Sequence, residues 1–477
     1  MTPASSVAAG WASAPEAWLG RAVLEHGVAL LLLVTLISTI NQFPGLLGKR
    51  GLMPIAPYLR QTPFWDSPSI FRWYYSDRYF LIACWVGVVV SAATAAGVAA
   101  LLPAWAHMLA WTTLWVLYLS IVNVGQRWYG FLWEMLLCEV LFVCIFIGPR
   151  AQIPSVLVIA ALLWLLIRVE LGAGLIKMRG GKEWRDLTAL DYHHETQPMP
   201  GPLSWYFHHL PKVLHRVETG ANHVVQLAVP FLLLAPQPIR SYAALLMALT
   251  QAWLVLSGNF AWVNVLTICL CLSLVADTAV GLDGLRPAMT AAPGWVLGVQ
   301  IAFAVLSLVL VWKPLANLFS PQQKMNARYN PLLLGSSYGA FGTIGKQRRE
   351  LIVEGCTDRG EPWLAYEFYG KPGDVMRRPP VVAPYHLRLG WQLWFAALSP
   401  YFRGAWLDRL IVRLLEGEPV LTRMCRVNPF ASSPPRWIRV MQYDYRYSTA
   451  AERRETGAWW VRSNERELIT PRRLAER

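Results

Sequence analysis

Charge is what this sequence has least of. Asp, Glu, Lys and Arg make up 15% of its 477 residues, where a soluble globular domain carries about 25%. That shortage excludes an ordinary soluble enzyme of this length. Cysteine is scarce as well, and its seven copies follow no pattern. There is no CxxC pair and no zinc-ligand spacing, so neither a disulfide scaffold nor a structural zinc fold is indicated. Cys84, Cys138, Cys144, Cys269 and Cys271 fall inside apolar runs, as small hydrophobes do. Only Cys356 and Cys425 lie in the more polar C-terminal part, where a disulfide between them is a weak third possibility beside the readings below. Also missing are GxSxG, the P-loop and the glycine fingerprint of nucleotide sites.

Apolar surface is what the chain has instead. Hydrophobic residues reach 55%, and there are 24 Trp, a residue that settles at membrane–water interfaces. Nine apolar segments are candidate spans: roughly 19–40, 79–102, 106–124, 128–148, 153–177, 220–235, 239–257, 260–277 and 295–312. The first has a weak basic leader and no small-residue cleavage site, so it reads as a retained span, not a signal peptide. The net charge of +14 lies mostly outside these runs. In so apolar a chain it points to anionic lipid headgroups and not to nucleic acid.

The expected fold is therefore a polytopic α-helical membrane bundle of about nine spans, followed by a C-terminal β-rich globular domain with a helical insertion. Residues 1–18 form a tail, 19–313 the bundle with a His-rich connector at 179–219, and 314–477 the extramembrane domain. ELIVEGC, WLAYEFYG and RWIRVMQYDYRYS read as strands, the last with Trp437, Met441, Tyr443, Tyr445 and Tyr447 near one face. LGWQLWFAALSPYFRGAWLDRLIVRLLEGE reads as two amphipathic helices broken at Pro400. The charged stretch after 450 reads as a loose tail. With nine spans the first loop (41–78), the connector and the C-terminal domain share one side. Their Lys and Arg residues favour the cytoplasm by the positive-inside rule.

Chemistry is most plausible around the fifth span. IPSVLVIAALLWLLIRVELGAGLIKM carries Arg168, Glu170 and Lys177, and an ionisable group at membrane depth costs at least ~2.5 kcal/mol, which marks it as a functional candidate. Glu170, Gly174 and Lys177 share one helical face, and Arg168 points away from it. His215, Glu218, Asn222 and Gln226 repeat at three- and four-residue steps, a polar stripe that must face protein or water. Glu134 and Glu139 add carboxylates from the fourth segment. Together these residues suggest a polar pocket roofed by the connector. Its ion pairs either hold helices in register or move a proton. The connector holds five histidines, with His223 just beyond it, so six of the nine fall between His193 and His223, but none of the spacings is a metal-ligand pair, so no metal is expected.

Longer motifs go further. LGAGLIKMRGGKEWRDLTALDYHHETQPMPGPLSWYFHHLP, continuing through HRVETGANHVVQLAVPF, resembles the signature region of the lipase maturation factor family. VAPYHLRLGWQLWFAALS, NPFASSPPRWIRVMQYDYRYS and GAWWVRS resemble the same family's C-terminal domain. An acidic residue is expected where this chain has Gly390. The resemblance implies a multi-pass protein that helps secreted lipases or other exported proteins fold and assemble. It places the large loops and C-terminal domain in the endoplasmic reticulum lumen of animals, or outside the inner membrane if the chain is bacterial, as its short loops and compact first span suggest. This is the opposite of what the charge bias indicates. Trp205, Tyr206, Trp391, Trp394, Trp459 and Trp460 are then candidate client contacts, although interfacial anchoring or core packing is the simpler explanation of any single one. The family's bundle is also distantly similar to that of vitamin K-dependent carboxylases. That similarity implies an alternative: an enzyme acting on a lipid or quinone-like molecule, with Glu170, Lys177, His193, His194 and Glu218 as acid–base candidates. The maturation reading needs no cofactor.

Overall fold

A computed structural model describes residues 10–358 and 360–474, which leaves residues 1–9 of the expected tail outside the described residues. Among the described residues six segments are long and apolar enough to cross a membrane: Pro15–Leu46, Asp77–Ala95, Ala104–Val124, Val156–Arg179, Ile239–Ser257 and Gly294–Phe319. Their helices are α1 (Trp18–Leu46), α2 (Asp77–Ala95), α3 (Ala104–Val124), α5 (Val156–Arg179), α7 (Ile239–Ser257) and α9 (Gly294–Leu310). Local signals set their starts. The Ser76 hydroxyl accepts from the Tyr79 amide ahead of α2, with Asp77 in its first turn, and Pro103 fixes the entry to α3.

The expectation of nine full spans is not met. Segment 128–148 contains only α4 (Leu132–Cys144, 13 residues), and 260–277 only α8 (Val263–Leu272, 10 residues). Segment 220–235 is the second half of α6 (Lys212–Leu227) and the turn Val229–Leu232. The reason is burial. Every residue of α4 except Phe142 is buried, so its length answers to neighbouring helices and not to the hydrocarbon thickness.

The first loop, the connector and the C-terminal region meet at one end of the bundle. Arg409 donates to the Leu52 carbonyl at 2.8 Å, Arg127 to Phe402 at 2.8 Å and Arg348 to Glu195 at 2.8 Å. At the other end Arg21 donates to the carbonyls of Gln152 at 2.5 Å and Arg150 at 3.0 Å.

The C-terminal domain is a five-stranded antiparallel sheet in the order β3-β2-β1-β4-β5. Its strands are β1 (Arg348–Cys356), β2 (Leu364–Phe368), β3 (Cys425–Val427), β4 (Trp437–Tyr447) and β5 (Trp460–Arg472). Ile352 pairs with Met441, and Val353 with both Val440 and Tyr366. Two helices, α10 (Arg388–Leu398) and α11 (Gly404–Leu415), are inserted between β2 and β3 and break at Pro400. Met441, Tyr443, Tyr445 and Tyr447 are buried together with Trp205, Trp459 and Trp460.

Two further expectations fail here. The stretch after 450 is not loose: a helix at Ala450–Thr456, closed by a Thr449–Glu452 capping box, leads into the 13-residue β5. β5 is polar on both faces because it is the edge strand, where charges block further strand addition. Cys356 and Cys425 are both buried, and no disulfide joins them. Burial pushes the Cys425 thiol up to about 12.

Candidate functional site

The spacing of α5 puts Glu170 and Lys177 on the face turned toward α6. Gly174 lies between them and permits close approach: a Cβ there would meet Leu227 Cδ2 at 2.7 Å and Gln226 Cβ at 3.0 Å. Across this contact Lys177 Nζ donates to Asn222 Oδ1 and Gln226 Oε1, each at 2.8 Å, and sits 4.6 Å from the centre of the Trp184 ring. Gln226 also lies beside Glu170. Glu170 Oε1 accepts from Gln251 Nε2 at 2.7 Å, and Gln251 Oε1 from Asn264 Nδ2 at 2.9 Å. A chain of amides thus joins one buried cation to one buried carboxylate. Among the described residues no carboxylate lies within 4.0 Å of Lys177.

These groups line a cavity of about 710 Å³ between α5, α6, α7 and α8, whose wall is otherwise mostly apolar. Trp184, His193, Phe260 and Phe341 close its connector end. Glu218 lies at its edge, where it accepts from Trp253 Nε1 at 2.8 Å; partial burial raises its carboxyl above the ordinary range. The size and the few convergent polar groups are those of a small-molecule site.

The single pocket expected from the sequence is divided. Arg168, Glu139 and Glu134 do not line this cavity. Arg168 lies on the far side of α5, where it pairs with Glu139 and donates to the Ser336 carbonyl at 2.8 Å. The Tyr338 hydroxyl donates to Glu139 at 2.6 Å. Glu134 instead receives Arg388 from the C-terminal domain and the hydroxyl of Tyr118. Both clusters join elements distant in the chain, which is the behaviour of architecture.

The connector folds as three short helices, Lys182–Arg185, Leu190–Thr196 and Ser204–His208. Of its histidines only His193 lines the cavity. Its ring lies parallel to Phe260, with centroids 5.8 Å apart, and burial lowers its pKa to about 3. His194 is buried beside Phe207 and His215, without a hydrogen-bond partner, and burial pushes it well below its ordinary value. His215 is held between Asp191 Oδ1 at 3.0 Å and the Phe207 carbonyl at 2.9 Å. Among the described residues no three His, Cys, Asp or Glu side chains converge as a metal set.

The aromatic candidates separate by exposure. Trp391 is buried against Phe131 and Trp133. Trp205 is buried and donates to the Ser448 carbonyl at 2.8 Å. Neither presents a client surface, because amphipathic spacing in the sequence does not say which covering element arrives on top. Trp394 is half-buried and tied to the Thr196 carbonyl at 3.1 Å. Tyr206 is exposed. Residues not picked out from the sequence include Gln251, Asn264, Arg388 and Tyr118. The two amides were visible as polar interruptions in TQAWL and WVNVL; Tyr118, in an apolar run, gave no such signal.

Residues 19–282 match the lipase maturation factor transmembrane domain and residues 334–470 the lipase maturation factor C-terminal domain. The chain belongs to the lipase maturation factor family. It is 36% identical to mouse lipase maturation factor 1, over 96% of this chain and 88% of that protein, and 36% identical to the human protein over the same shares. Human lipase maturation factor 2 is 27% identical, over 93% of this chain and 81% of that protein. No solved structure matches the chain. Gly390, where the resemblance leads one to expect an acid, lies beside Lys371: a Cβ would stand 3.5 Å from its Cγ. Here Lys371 is paired with Glu350 instead.

Proposed function

We propose that this protein is a multi-pass membrane factor that assists the folding and assembly of secreted lipases or other exported proteins. One observation carries the reading. Its similarity to proteins named lipase maturation factor 1 runs through both the bundle and the C-terminal domain, over 96% of the chain. The C-terminal sheet and connector form one continuous surface at one end of the bundle, and a client would meet that surface. A client bound for export places it outside the cytoplasm: the lumen of the endoplasmic reticulum, or the outer face of a bacterial inner membrane.

The test is complementation. A secreted lipase is expressed in cells lacking their own lipase maturation factor, with and without this chain, and activity is measured per unit of lipase protein. A rise with the chain present is expected. Unchanged specific activity, with the chain well expressed and membrane-inserted, overturns the proposal.

A second reading, acid–base chemistry on a lipid-soluble substrate, draws on Glu170 and Lys177 lining one cavity. Glu170→Gln keeps a hydrogen-bonding side chain for Gln251 and removes a titratable proton. Loss of function in a folded Glu170→Gln protein favours this reading; retained maturation favours the first.

A further inference from the structure

The cavity has an occupant suited to it, and its shape and wall state the requirements. About 710 Å³ is lined mainly by apolar side chains, and its charged pair Glu170 and Lys177 lies on α5, joined by amides of α6, α7 and α8. The mouth lies between α6 and α7. There Leu214, Val217, Leu249 and Leu256 line the cavity and are also exposed on the outer surface. Exposed aliphatic residues on a membrane bundle face hydrocarbon, so the opening is lateral, toward lipid and not toward water. α7 is one of the six membrane-length helices, which places the mouth at bilayer depth.

The polar floor specifies the head of the ligand. Lys177 uses two of its three N–H groups on Asn222 and Gln226 and, among the described residues, has none within 4.0 Å of a carboxylate, leaving one donor for a guest. Glu170 accepts from Gln251 through one oxygen, with Gln226 alongside, and retains acceptor capacity. A cation and a carboxylate joined through an amide present no net charge for a charged head to neutralise. They do require a head that both accepts and donates hydrogen bonds. A hydroxyl does both, an ester carbonyl accepts, and an alkyl chain fills the remaining apolar volume.

We propose that this cavity is a binding site for a single-chain acylglycerol that enters from the bilayer between α6 and α7, with its glycerol head on Lys177 and Glu170. The site does not depend on the maturation reading, and it needs no bond made or broken.

The experiment uses the full-length protein in nanodiscs of a diacyl phospholipid, with tritiated 1-monooleoylglycerol as the probe. Saturable binding at one site per chain is expected, displaced by unlabelled monooleoylglycerol and at least about tenfold less well by oleate. Lys177→Met is expected to weaken binding by about tenfold or more, the loss of one charge-assisted hydrogen bond. Val217→Trp tests the route separately. Its side chain lies at the exposed rim, so the protein folds, and a bulky ring there is expected to slow uptake or abolish it. Non-saturable uptake, equal binding by wild type and both variants, tighter binding of oleate, or an isoprenoid quinone co-purifying in the cavity would each overturn the assignment.

Discussion

The guanidinium of Arg388 lies against the carboxylate of Glu134, 254 residues away in the chain, and both side chains are fully buried. Arg388 also donates to the Trp128 carbonyl at 2.9 Å and stands 3.6 Å from the centre of the Tyr129 ring. The pair locks the C-terminal domain into the bundle. Arg388→Met leaves a buried carboxylate without its partner and is expected to cost about 3–5 kcal/mol. The thermal unfolding midpoint in detergent measures the loss. The double variant Arg388→Met with Glu134→Leu is expected to recover most of it, because neither charge is then stranded.

Arg348 is expected to hold the connector. It donates to the carbonyls of Glu195 at 2.8 Å, Gln197 at 2.5 Å and Pro198 at 3.3 Å, and pairs with Glu350 at 2.5 Å. Arg348→Ala should make residues 186–210 sensitive to limited proteolysis while the bundle stays resistant. Arg348→Lys should not restore protection, since an ammonium cannot span the three carbonyls as a planar fork does.

Stability should fall on mild acidification. Burial lowers His193 to about 3 and His208 to about 4, from an ordinary value of 6.5. Above 6.5 neither state carries the protons. As pH falls from about 6.5 toward 4, the unfolded chain takes them up and the folded chain does not, so stability declines across that window. His208→Asn is expected to flatten the decline when unfolding is followed as a function of pH.

Arg453 covers an aromatic group at the edge of the sheet, 3.4 Å from the centre of Trp459, 4.7 Å from Trp205 and 5.8 Å from Tyr206. Arg453→Ala should cost about 0.5–1 kcal/mol and make tryptophan emission more open to an aqueous quencher. If Tyr206 is a client contact, the same variant should also change lipase maturation, because the stack positions that ring.

What the sequence revealed was local. Strands β1, β2 and β4 and the helix break at Pro400 follow from alternation and from proline chemistry, which act over a few residues. The face shared by Glu170, Gly174 and Lys177 and the stripe of His215, Asn222 and Gln226 follow from helical period alone. Three kinds of feature were hidden. β5 is polar along most of its length, so its composition does not mark it as a strand. α4 and α8 are short because neighbours cover them, and hydropathy does not register neighbours. Whether Glu134 belonged with Lys177 or with Arg388 depended on where a residue 254 positions later is delivered.

Trp460, the first residue of the last strand, stacks on Tyr447 at 4.1 Å and lies 5.4 Å from the Arg348 guanidinium that grips the connector. The roof over the intramembrane cavity is therefore secured from the C-terminal sheet, far along the chain from Lys177. A change at Trp460 would reach back to Lys177 without touching it, a fault in the membrane that originates in the sheet.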